Sequence, residues 1–195
     1  MLSNILFEAE GKKLNIIATD MDITAKIKCK VENVEESGRT TIHKKIVSLV
    51  KELPESEIII ESDKNDNIKL KCAKSSFKIP GMPAEDFPVL QPEGKILETI
   101  KLPQSVLKEI IAKIAYAALK DNTKRNLNGV FFRFEGTVIE AVATDAHRLA
   151  YIKMENKPAV KTKLEYIIPL KTINELQKIM DDDDKNNIEI NFYVS

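Results

Sequence analysis

The sequence contains an imperfect copy of itself, and this repeat limits the possible folds more than any other feature. LSNILFEAEGKKLNIIATDMDITAKIK, from Leu2 to Lys28, aligns without a gap on LNGVFFRFEGTVIEAVATDAHRLAYIK, from Leu127 to Lys153, an offset of 125 residues. Glu10-Gly11 falls on Glu135-Gly136, and Ala18-Thr19-Asp20 on Ala143-Thr144-Asp145. Further on the match weakens but persists, with TIHKKIVSLVKEL facing YIIPLKTINELQKIM. Two units of one fold are therefore expected. The 195 residues, 43% of them hydrophobic, are enough to give each a core. The natural boundary is the segment Pro92 to Gly94, giving units 1–91 and 92–195.

The copies are not equally complete. ETIKLPQSVLKEIIAKIAYAALKDNTKRN, a strand plus a helix, precedes Leu127, and nothing comparable precedes Leu2. LKCAKSSFKIPGMPAEDFPVL closes the first copy and has no counterpart before Ser195. The expectation is a fragment: a first unit without its opening strand and helix, and a second without its C-terminal strands.

Alternating polar and apolar residues around Glu10-Gly11 and Glu135-Gly136 predict a hairpin in each copy. DITAKIKCKVEN, EIIIESDKNDNIKLKCAKSSFKI, ETIKL, HRLAYIKME and NIEINFYV also read as strands. Helical spacing predicts helices over Pro103–Lys120, His43–Leu53 and Pro169–Met180. Pro103 suits a first turn, and Pro54 ends the second helix. The pattern is α+β, with two helices per repeat packed on one face of antiparallel sheet.

The repeat also dissects VATDAHRLAYIK, Val142 to Lys153, where an acid, an imidazole and a guanidinium crowd together. Thr-Asp is common to both copies, and an Asp that bonds its own backbone suits a turn. His147 and Arg148 replace Asp22 and Ile23 and are special to the second copy. A hydrolase using Asp145 and His147 is one reading. Against it, the sequence has no GxSxG elbow, phosphate-binding loop or dinucleotide fingerprint. His43, His147, Cys29 and Cys72 are too scattered for a metal site, and no cofactor motif appears. The run Asp181–Asp184 reads as a solvated loop insertion. The two cysteines read as reduced thiols, and no apolar run is long enough to span a membrane, so a cytoplasmic protein is expected.

With 30 basic against 30 acidic residues, attraction to phosphate needs segregated charge. Lys44 and Lys51, Lys113 and Lys120, and Lys171 and Lys178 are each seven apart, close to two helical turns. On three helices they would form a basic face that binds phosphates without reading sequence. The alternative is a solvated face.

GVFFRFEGTVIEAVATDAHRLA resembles the second domain of the bacterial DNA polymerase III β subunit, the sliding clamp, where a TDGHRLA-like stretch recurs. KIPGMPAEDFPVL, Lys78 to Leu90, resembles that family's segment at the end of its first domain. The likeness covers essentially the whole chain. It implies a non-catalytic processivity factor of three similar domains, two chains closing into a ring around double-stranded DNA with helices inside. It implies partners, the replicative polymerase and the clamp loader, that insert short peptides into a cleft. The residues carried over to that cleft are Leu127, Thr144, His147, Arg148 and Leu149. Lys124 and Arg125 join the six lysines as DNA-facing, and Lys74, Phe77 and Ile79 match the edge that meets the other subunit. The homodimeric ring is expected of the full-length protein and not of this fragment. Ala146 stands where the family usually has Gly, so a positive φ there would cost about 1 kcal/mol. A free-standing peptide-binding module remains a further alternative.

Overall fold

The computed structural model describes residues 3–88, 94–121, 123–180 and 187–194. Leu2, the end of the DFPVL segment, the boundary residues Pro92 and Glu93, and the Asp181–Asp184 loop lie outside them. The chain divides into two compact units, Met1–Gln91 and Pro92–Ser195.

The first unit opens with strands β1 (Asn4–Glu10), β2 (Lys13–Thr19), β3 (Thr24–Lys30) and β4 (Gly38–His43). They form an antiparallel sheet in the order β3-β2-β1-β4. A two-residue connection links the paired Glu10 and Lys13, and Gly11 takes its first position at φ +60°. That is where a hairpin of this length needs a left-handed residue. Helix α1 (Ile46–Lys51) follows, then β5 (Ile58–Ser62), β6 (Asn67–Cys72) and β7 (Ser75–Pro80), a second antiparallel sheet. Phe7, Ile42, Ile46, Ile68, Leu70 and Cys72 are buried together between them. A smaller cluster on the other face of β1 joins Leu6 and Ile17 to Ala84 and Phe87.

The second unit has β8 (Ile96–Pro103), α2 (Gln104–Ile114), β9 (Gly129–Thr144), β10 (Leu149–Pro169), α3 (Leu170–Ile179) and β11 (Asn187–Tyr193). β9 is not one straight strand. Arg133 and Glu140 form an ion pair at 3.1 Å, although seven extended residues span roughly 23 Å. The chain therefore doubles back at Gly136, φ +56°, the residue aligned with Gly11. β10 follows both limbs, pairing Leu149–Glu155 with Val138–Thr144 and Leu164–Pro169 with Gly129–Phe134. This is the pairing of β1 to β4, written in two long strands. One core gathers Phe132, Phe134 and Ile139 from the sheet, Leu107, Ile110, Ile111 and Ile114 from α2, and Ile173 from α3.

Equivalent positions confirm the repeat in charge-reversed form. Glu8 faces Arg39 across the first sheet with an ion pair at 3.1 Å. Arg133 faces Glu165 across the second at 2.8 Å. The units differ in what covers their helices. The strand registers place Val47 on Ile173 and Val50 on Leu176. Ile173 is fully buried in the cluster that includes α2, whereas Val47 is 49% exposed. Among the described residues of the first unit no helix takes the place of α2.

Three sequence expectations need correction. α1 starts at Ile46, so Lys44 precedes it: the Lys44 amide donates to the Ser3 carbonyl and extends the β1–β4 ladder instead. α2 ends at Ile114, followed by one 3₁₀ turn, Ala115–Ala117. The Leu119 amide then donates to the Leu127 carbonyl, which draws the chain away from a helical path. Lys44 and Lys51, and Lys113 and Lys120, therefore do not share a helix face; Lys171 and Lys178 do, on α3. Pro103 sits one residue ahead of α2, with ψ 141°, rather than within its first turn.

Candidate peptide-binding site and the turn that builds it

The Thr-Asp turn is built identically in both units. Asp20 Oδ1 accepts the amides of Asp22 and Ile23 at 3.1 and 2.9 Å, and Asp145 Oδ1 accepts those of His147 and Arg148, both at 3.0 Å. Thr19 and Thr144 each donate a hydroxyl to the carbonyl four residues on and accept the amide two residues on. The residue after each Asp is left-handed, Met21 at φ 78° and Ala146 at φ 77°. Neither is glycine, so each turn holds a side chain against its preference. Ala146→Gly is expected to stabilise the second unit by about 1 kcal/mol, and Met21→Gly the first by a similar amount. Urea denaturation checks this; a loss of stability in either variant would mean that the Cβ has a packing role.

This architecture accounts for Asp145. Its carboxyl is held below the ordinary value of 3.8, first by the His147 amide and then by the amide and guanidinium of Arg148. The hydrolase reading loses its acid here. Asp145 is occupied as a turn acceptor, and Asp20 makes the same bonds in a turn that has no histidine. Among the described residues no group of three His, Cys, Asp or Glu is placed to hold a metal ion. Cys29 and Cys72 are free thiols.

A hollow of about 290 Å³ opens beside the second turn. One wall is the segment after α2, with Leu119, Thr123, Lys124 and Leu127; the other is the turn, with Asp145, Ala146 and His147. The first wall is fixed by its backbone. Leu119 and Leu127 exchange the bond already described, the Leu127 amide donates to the Lys124 carbonyl, and Asn128 Nδ2 donates to the Leu119 carbonyl at 2.8 Å.

Of the five residues assigned to a cleft, Leu127 and His147 line this hollow. Thr144 locks the turn from beneath. Arg148 lies outside the lining: its Nε donates to Asp145 Oδ2 and its Nη2 to the Tyr116 carbonyl, both at 2.9 Å. Leu149 also lies outside it and is 65% exposed. Lys124, assigned to DNA, stands on the wall of the hollow, and Arg125 is exposed nearby in sequence. The sequence reading missed Leu119 and Tyr116.

Two domain models of one family match the chain in succession. The N-terminal domain of the DNA polymerase III β subunit matches residues 1–91, and its central domain matches residues 101–193. The chain belongs to the DNA polymerase III β-subunit family. Among curated relatives, the β sliding clamp of Pseudomonas aeruginosa is 28% identical over 185 residues, 94% of this chain and 50% of that protein. That of Proteus mirabilis is 30% identical over 183 residues, 93% of this chain and 49% of that protein. The chain thus spans about half the length of the curated relatives it matches. A crystal structure of the Pseudomonas aeruginosa sliding clamp bound to griselimycin superposes with a TM-score of 0.92 at 28% identity, covering 98% of this chain and 52% of that one. A second structure of that clamp, with ligand, gives 0.90. The fold is the β-subunit family's DNA-clamp fold.

Other residues assigned by the likeness are placed as follows. β7 is an edge of its sheet, with Lys74 in the turn before it. Phe77 and Ile79 are half-buried, packed against their own core. Lys44, Lys51, Lys113, Lys120, Lys171 and Lys178 are all exposed. Lys113 is paired with Glu109 and Lys178 with Glu175, so part of their charge is already answered.

Proposed function

We propose that this chain supplies the N-terminal and central clamp domains of a ring-shaped processivity factor, which encircles duplex DNA and tethers the replicative polymerase. The observation that carries this is the order of the two domain matches along a chain that repeats itself. The role is mechanical and not catalytic. A closed ring cannot leave DNA sideways, so weak phosphate contacts suffice and sliding stays easy. Exposed lysines already half-answered by neighbouring glutamates fit such weak contacts. The hollow beside the second turn is the central-domain part of a cleft for short apolar peptides, with Leu127 as its apolar wall and His147 at its rim. No helix among the described residues is long and apolar enough to cross a membrane, in keeping with a cytoplasmic partner of DNA.

Loading the full-length protein onto nicked circular DNA tests the topological claim. Retention through a high-salt wash is expected on the circle, with rapid loss once the DNA is cut to a linear form. Equal loss from circular and linear DNA would show that contacts rather than closure hold the protein, and the reading would fall.

A further inference from the structure

We infer that Tyr116 is a positioning residue of the hollow, and that Arg148 acts with it as a strap between the two walls. The inference rests on the peptide-cleft reading. The hollow's two walls come from separate elements, the segment leaving α2 and the turn between β9 and β10. Arg148 joins them. Its guanidinium is fixed to the turn by Asp145 and to the end of α2 by the Tyr116 carbonyl, each at 2.9 Å. It also lies over the Tyr116 ring, 5.6 Å from the centroid, within cation–π range.

The first unit supplies the control. Its turn carries Ile23 at the position of Arg148 and makes every equivalent Asp and Thr bond without a guanidinium. The turn therefore forms by itself. What Arg148 adds is a link 32 residues along the chain, which sets the distance between the walls. Tyr116, at 58% exposed, has little role in the core, so its ring is available for this task. The planar fork of arginine gives the strap direction as well as charge, since one edge serves Asp145 and another N–H serves the carbonyl.

The test uses the full-length protein with griselimycin, the ligand of the Pseudomonas aeruginosa relative, as probe. Tyr116→Ala and Arg148→Ala are each expected to weaken binding about fivefold, the scale of an exposed cation–π contact or ion pair. Tyr116→Phe keeps both the ring and the carbonyl and is expected to bind like the parent. Melting temperatures should barely move in all three, because the turn does not need the strap. In NMR spectra the Arg148 Nε–H resonance should carry a ring-current shift that Tyr116→Ala removes and Tyr116→Phe preserves. Leu127→Ala separates the two readings. If it weakens binding while Tyr116→Ala does not, the strap is refuted and the cleft stands. If neither does, both fall.

Discussion

Phe132→Ala is expected to destabilise the second unit by about 3–5 kcal/mol, the usual cost of emptying a large aromatic site in a closed core. Phe132 is 1% exposed. Its ring stacks on Phe134 with centroids 5.9 Å apart, and Phe134 meets Phe192 edge-on at 5.8 Å. Removing Phe132 thus loosens the contact between the doubled-back sheet and β11 as well as leaving a void. The repeat supplies an internal comparison. Phe7 occupies the equivalent place, 8% exposed in a cluster with fewer buried members. Phe7→Ala is expected to cost less, because its surroundings can relax toward solvent. Since each unit has a core of its own, each variant should lower one unfolding transition and spare the other. Calorimetry of the chain checks this. One transition displaced equally by both substitutions would show that the units unfold together.

The sequence was most legible where the repeat supplied a second opinion. The Gly11 and Gly136 hairpins and the shared Thr-Asp turn could be read because the same local chemistry appears twice, and a turn is built mostly from its own residues. Only the copy-specific residues required another explanation. The lysine spacing failed at Lys44–Lys51 and Lys113–Lys120, though not at Lys171–Lys178 on α3, for the opposite reason. It assumed helices as long as their apolar pattern, but partners distant in sequence took the ends: Ser3 captured Lys44, and Leu127 captured Leu119. The charge reversal from Glu8–Arg39 to Arg133–Glu165 needs the strand register, which a one-residue insertion between the copies hides from a gapless alignment. Tyr116 could not be found from spacing at all, since it meets Arg148 only through the packing of α2 against the sheet.

With griselimycin, the ligand of the Pseudomonas aeruginosa relative, as the probe of the proposed cleft in the full-length protein, Leu127→Ala is expected to weaken binding about thirtyfold, on the order of 2 kcal/mol, as truncation of a central apolar anchor often does. Leu127 is half-buried, and its own amide and carbonyl fix it in the wall of the hollow. Its side chain is therefore presented to a ligand with little left to order on binding. Leu149 gives the contrast. It is 65% exposed and lies outside the lining, so in this geometry Leu149→Ala removes less buried contact and should weaken binding less. His147 stands at the rim, where its exposed imidazole can meet only polar groups of a ligand beside water. His147→Ala should fall between the two. Isothermal titration of the three variants ranks them directly. The order Leu127, His147, Leu149 supports a ligand seated in the hollow. A larger loss from Leu149 than from Leu127 would place the ligand on the outer surface of the β9–β10 turn, and the hollow would then be only the gap between a loop and a turn.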